Sequence, residues 1–126
     1  MRIGIVIFAH GSAIESANES VRLASQQFAS SGCFTLVESA FLELGQPDLS
    51  VAVSRLVDGG ARRVIVVPYF LTLGKHLQRD LPRLVSEVAA QHPGLAIEVT
   101  PPLDGHPGLV SILLERARLA SAQETQ

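Results

Sequence analysis

Two histidines stand just beyond apolar, strand-like runs in this 126-residue chain. His10 follows Ile5-Val6-Ile7-Phe8-Ala9 and opens into Gly11-Ser12. His76 lies beyond Val64-Ile65-Val66-Val67-Pro68, in the stretch Tyr69-Phe70-Leu71-Thr72-Leu73-Gly74-Lys75-His76-Leu77. A neutral imidazole ligates divalent transition metals, and near neutral pH it also takes up and releases protons. The segment around His76 is too apolar for an ordinary solvated loop, so it wants burial, a flat apolar ligand or a partner subunit. Glu43 ends another strand-like run, where it is either a proton acceptor or a solvated carboxylate. Lys75 and Arg79 either meet anionic groups on a ligand or lie in solvent. Ser12 either caps the next helix or touches a ligand, and capping is the simpler reading. Asp80 could orient the His76 ring, but its place before Leu81-Pro82 favours a helix N-cap. His92, at a helix end, and His106, in a Gly-His-Pro-Gly turn, read as surface groups.

The elements that must position these residues alternate. A buried strand is expected over 3–9, then a helix over 15–29 with Ala17, Val21, Ala24 and Phe28 on one face. A strand over 35–42 leads through Gly45-Gln46-Pro47 to Asp48, the N-cap of a second helix whose buried face is Leu49, Ala52, Val53, Leu56 and Val57. A third strand covers 64–67, and a third helix is expected over 81–91 with Asp80 as its cap. A fourth strand near 95–99 and a last helix over 107–120 complete the pattern. Four β-α repeats imply an α/β fold: a four-stranded parallel sheet with helices on both faces. Right-handed crossovers limit the topology, and the usual doubly wound order, 2-1-3-4, is assumed. Ligands bind such sheets at the carboxyl ends of the strands, where the winding direction reverses. In this order that crevice lies between strands 1 and 3, so His10 and His76 are expected to share it.

Composition bounds the rest. Residues 1–120 read as one domain and 121–126 as a frayed tail. Apolar residues make up 47% of the chain, enough for a core without a metal or disulfide staple. A net charge of −2 creates no field drawing nucleic acid or an anionic membrane. No apolar run approaches the length of a membrane span. One cysteine, Cys33, and no evident targeting segment point to the cytoplasm. Structural-zinc spacing, a Walker motif, G-x-G-x-x-G and a G-x-S-x-G elbow are all missing.

Several stretches together resemble the short, single-domain CbiX-type sirohydrochlorin chelatases of the class II chelatase family. They are Ala9-His10-Gly11-Ser12 with Ala17-Asn18, and Ala40-Phe41-Leu42-Glu43-Leu44 followed by Pro47-Asp48-Leu49. Next come Gly60-Ala61-Arg62-Arg63-Val64 leading into Val66-Val67-Pro68-Tyr69-Phe70-Leu71, then Gly74-Lys75-His76-Leu77 with Asp80-Leu81-Pro82. Lys75 departs from the small residue more usual before that histidine, and the loop after His10 lacks charged residues. The resemblance implies a chelatase-like three-layer fold and ATP-independent insertion of a divalent metal into sirohydrochlorin. Co²⁺ is expected first, with Fe²⁺ or Ni²⁺ as alternatives, in cobalamin or siroheme biosynthesis and with no organic cofactor. It implies His10 and His76 as metal ligands and a homodimer, since longer relatives carry two such modules in one chain. Two pyrrole N–H protons must leave as the metal enters, and His10 or Glu43 is placed to accept them. Ser12, Lys75 and Arg79 are expected to meet the substrate, the two cations through its carboxylates.

Three rivals bear on the same residues. The first is a non-catalytic carrier of metal or tetrapyrrole with the same fold. The second is a phosphate-handling enzyme with His10 as nucleophile, which would want an arginine beside that histidine where Ala9 stands. The third is a purely structural domain, in which the paired motifs would be coincidence.

Overall fold

The apolar runs become strands and the amphipathic stretches between them become helices. The computed structural model describes residues 2–124. In chain order the elements are β1 (Ile3–Ala9), α1 (Glu15–Ser30), β2 (Leu36–Phe41), α2 (Leu49–Asp58), β3 (Arg63–Pro68), α3 (Lys75–Ala90), β4 (Ala96–Val99) and α4 (Pro107–Glu124). The strands form one parallel sheet in the order β2-β1-β3-β4. Among the described residues no helix is long and apolar enough to cross a membrane.

Alternation along each strand sends side chains to opposite faces. Val6, Phe8, Ala40, Val64 and Val66 join Leu49, Ala52, Val53 and Leu56 of α2 and Leu77, Leu81 and Val88 of α3 in one buried core. Each fully buried aliphatic side chain there contributes about 1.5–3 kcal/mol. The other face carries Ile5, Ile7 and Phe41, all buried, and α1 packs there against β1 and β2. Asp48 caps α2 as expected, accepting from the Val51 N–H at 2.9 Å.

Three local expectations are corrected. Helix α3 begins at Lys75 with Gly74 as N-cap, so Asp80 and Pro82 lie inside it and His76 sits in its first turn rather than in a loop. The reason is periodicity: Leu77, Leu81, Leu84, Val85 and Val88 keep one phase across Pro82 and all join the core. A proline inside a helix costs about 3 kcal/mol, which the burial of two leucines offsets. Second, the inward face of α1 is turned from the one expected: Ala17 is exposed, and the fully buried positions are Asn18 and Ser25. Third, Ser12 does not cap α1, whose N-cap position is Ile14; its hydroxyl accepts from the Ile14 N–H at 3.0 Å, shaping the preceding turn. Helix α4 is described through Glu124, and residues 125 and 126 of the expected tail lie outside the described residues.

Candidate functional site

The strand order places β1 beside β3, so the chain ends that leave them face each other across the switch point. His10 leaves the carboxyl end of β1, and His76 enters α3 after β3. Both line one open cleft of about 320 Å³, shared with Leu42, Phe70, Thr72, Lys75 and Asp80. The apolar stretch before His76 therefore supplies a wall. Phe70 packs against the core and sets its ring edge-on to His10, with centroids 6.3 Å apart. A larger cavity of about 520 Å³ lies at the opposite end of the sheet, lined by His92 and Arg62. The His92 ring contacts the Ser54 hydroxyl at 3.3 Å, so it is a packed group. His106 Nδ1 accepts from the Gly108 N–H at 2.9 Å and so serves the start of α4.

The neighbouring groups favour particular ring tautomers. His10 Nδ1 faces two acceptors, the Gly11 carbonyl at 3.4 Å and Glu43 Oε1 at 3.8 Å. With only acceptors beside it, the tautomer with the hydrogen on Nδ1 and the lone pair on Nε2 is favoured, the arrangement in which a carboxylate orients a metal-ligating imidazole. Both side chains are a little over half exposed, at 56% and 57%, so water and ligand reach them. His76 differs. Its Nδ1 lies 3.3 Å from Arg79 Nη2; a guanidinium only donates, so the imidazole lone pair is the acceptor. Asp80 bonds to Arg79 and Arg83 at 3.4 and 3.5 Å. It holds cations beside the cleft instead of capping a helix. Among the described residues no three His, Cys, Asp or Glu side chains gather as a metal cage. The arrangement is two separated imidazoles on an open cleft.

Sequence reading missed the residue that holds this arrangement together. Asn18 is 1% exposed. Its Oδ1 accepts from the Ser12 N–H at 2.9 Å, and its Nδ2 donates to the carbonyls of Ser12 at 2.9 Å and Leu44 at 2.8 Å. One amide thus ties the loop after His10 to the loop after Glu43. Backbone contacts complete the clasp: the Glu43 N–H donates to the His10 carbonyl at 3.1 Å. Gly11, at φ +95°, lies so close to Glu43 that a Cβ would sit 1.6 Å from its carbonyl oxygen. Leu44 holds φ +56° without being glycine. The signal available was its place beside Ala17 in the stretch that accompanies Ala9-His10-Gly11-Ser12.

Arg22 braces the same corner. It bonds to Glu15 at 2.7 Å, to Glu19 at 2.9 Å and to the Gln46 carbonyl at 3.2 Å, and covers the Phe41 ring at 5.2 Å. The hydrogen bond from Arg22, aided by one from Asn18, holds the Glu15 carboxyl below its ordinary range.

With this geometry in hand, known proteins give a consistent answer. The CbiX family profile matches residues 4–120. The chain belongs to the CbiX family. The CbiX chain is 34% identical over 113 residues to the chloroplastic sirohydrochlorin ferrochelatase of Arabidopsis thaliana, covering 90% of this chain and 50% of that protein. It is 31% identical over 122 residues to the sirohydrochlorin cobaltochelatase of Sulfolobus acidocaldarius, covering 97% and 95%. Its fold is similar to the crystal structure of a CbiX protein from Marinobacter aquaeolei VT8, with a TM-score of 0.79 at 27% identity, covering 98% and 99%. This CbiX chain therefore spans half the length of the plant relative and nearly all of the archaeal one.

Proposed function

We infer that this CbiX chain inserts a divalent metal ion into sirohydrochlorin without ATP. One observation carries the reading: His10 and His76, from different elements, line the same open cleft at the switch point of the sheet. Two imidazoles ligate Co²⁺, Fe²⁺ or Ni²⁺ yet leave most of the coordination sphere free for transfer. Co²⁺ is the preferred ion in this reading, because a cobaltochelatase relative matches this chain over nearly its whole length.

The residues divide the work. His10 presents Nε2 to the metal while Glu43 orients the ring. Two protons leave the macrocycle as the ion enters, and Glu43 is the carboxylate nearest His10 that can take one. Phe70 and Leu42 offer an apolar surface to the ring face. Lys75 and Arg79 meet the substrate's carboxylates, with the Ser12 loop at the rim. A homodimer belongs to the same reading, a second copy standing where longer relatives carry further chain.

The test follows the absorbance of sirohydrochlorin with Co²⁺, Fe²⁺ or Ni²⁺ offered in turn. Insertion above the protein-free rate that His10→Ala and His76→Ala both abolish is the expected result. Binding of sirohydrochlorin with no acceleration would overturn the reading and make the chain a carrier.

A further inference from the structure

The two imidazoles on the cleft are not equally ready for a metal ion. Only acceptors stand beside His10 Nδ1, so the favoured tautomer of that ring leaves the Nε2 lone pair for a ligand. At His76 one neighbour obstructs both nitrogens. Arg79 Nη2 donates to Nδ1 at 3.3 Å, which engages that lone pair and leaves the hydrogen of the neutral ring on Nε2. A metal ion at Nδ1 has to displace the guanidinium. A metal ion at Nε2 needs the other tautomer, which turns the Nδ1 hydrogen toward a group that only donates. By either route Arg79 must give way.

The surroundings of Arg79 suit it to move. Its Nε lies 3.4 Å from Asp80 Oδ1, the same oxygen that meets Arg83 Nη2 at 3.5 Å. His76, Arg79, Asp80 and Arg83 fall three, four and seven residues apart on α3, so they share one face of the helix. Asp80 also lines the cleft with His76. Arg79 is thus divided between an imidazole and a carboxylate that already serves a second arginine. Its side chain is 74% exposed, so water weakens both contacts. A carboxylate on a ligand offers a guanidinium full charge and two parallel N–H···O bonds, where the imidazole offers one neutral nitrogen.

We propose that His76 engages the metal only after a carboxylate of the tetrapyrrole has drawn Arg79 off its ring, so that the substrate itself completes the metal site. The inference rests on the chelatase reading of the cleft and adds an order to it. His10 receives the ion without His76, the macrocycle arrives, and His76 then engages. Arg79 is a positioning residue in this sequence of events. Asp80, beside its Nε, keeps the freed guanidinium at the cleft, where the substrate carboxylate meets it. Without a macrocycle the ion is held by one imidazole and stays exchangeable. With one it is held by two, next to the ring that receives it. Binding of ring and ion is therefore positively coupled, and each strengthens the other by the same factor.

Two measurements on the full chain test it, and the first needs no tetrapyrrole. Co²⁺ affinity is measured by calorimetry for the parent, His76→Ala, Arg79→Ala and the double variant, which together isolate the coupling between the two side chains. His76→Ala should leave the parent's affinity nearly unchanged, and in the Arg79→Ala background it should remove a gain of about twofold to tenfold. An equal loss in both backgrounds, or no loss in either, would overturn the proposal. In the second, metal-free sirohydrochlorin is titrated into isotope-labelled protein and the His76 Nδ1 resonance is followed by nitrogen NMR. The resonance should move as the bond from Arg79 breaks, toward the position that Arg79→Ala shows before any ligand is added. Sirohydrochlorin that binds and takes up metal while this resonance stays in place sinks the proposal and leaves the assigned reaction standing. Sirohydrochlorin that binds and gains no metal faster than without protein sinks the reaction, and the order proposed here falls with it.

Discussion

The side-chain amide of Asn18 donates to the Leu44 carbonyl at 2.8 Å, joining the first turn of α1 to the loop that follows β2. Through its two bonds to Ser12 the same amide holds the loop that carries His10. His10 and Glu43 thus keep their spacing because a buried residue on neither strand clasps both loops. Asn18→Ala leaves the N–H and carbonyl of Ser12 and the Leu44 carbonyl without this partner, and should cost about 2–3 kcal/mol by urea denaturation. At a temperature where the variant stays folded, kcat for insertion should fall while sirohydrochlorin binding holds. Asn18→Asp keeps the acceptor but turns the donations to the two carbonyls and to Glu15 into repulsive oxygen–oxygen contacts at a buried site, so it should cost at least as much as Asn18→Ala.

Gly11 has no side chain because no room exists for one. Its φ of +95° and the 1.6 Å approach of a Cβ to the Glu43 carbonyl both oppose substitution. Gly11→Ala should destabilise by about 2 kcal/mol or more. A denaturation midpoint equal to that of the parent would show that the loop relaxes freely.

Acid should loosen the same corner. The Glu15 carboxyl titrates below its ordinary range because Arg22 donates to it. The stability from that contact is therefore complete above the ordinary carboxylate pKa and disappears as pH falls through the lowered one. Glu15→Gln should be less stable than the parent at neutral pH, and the two should converge in acid. Denaturation curves across the acid range check this; parallel curves would remove Glu15 from the account.

In the proposed reaction, Arg79 would compete with the metal ion for His76. A neutral imidazole has one in-plane lone pair, and in this structure the guanidinium occupies it at Nδ1. Arg79→Ala should tighten Co²⁺ binding by roughly twofold to tenfold, the worth of one exposed hydrogen bond. The same change should raise KM for a substrate rich in carboxylates, as should Lys75→Glu. Calorimetry with Co²⁺ alone separates the two effects.

Glu43→Gln keeps the shape beside His10 and removes the base. Insertion should slow by about 10²-fold or more if the carboxylate takes the pyrrole proton. Unchanged turnover would leave Glu43 only the orienting contact at 3.8 Å.

The sheet was legible because its signal is local. Apolar runs at 3–9 and 64–67, with turn residues and helical stretches between elements, imply parallel strands, and the usual doubly wound order assumed for them is the order found. The meeting of His10 with His76 followed from that order. What escaped depends on distant contacts. Asp80-Leu81-Pro82 carries every mark of a helix start, but the leucines and valines buried on both sides of it extend α3 back to Lys75. Asn18 stood in a quoted motif without a role, because its partner, the Leu44 carbonyl, comes from another loop. Leu44 itself, exposed and left-handed, bears no mark in its residue type.

Pro82 gives α3 two halves of different character. Lacking an N–H, it leaves the Gln78 carbonyl without its usual partner and breaks the ladder between the turn bearing Lys75, His76 and Arg79 and the turns anchored through Val85 and Val88. The leading segment is thus a short paddle held to the body mainly by Leu77 and Leu81, both buried. In deuterated buffer its amides would exchange as a separate, faster unit than those beyond the proline.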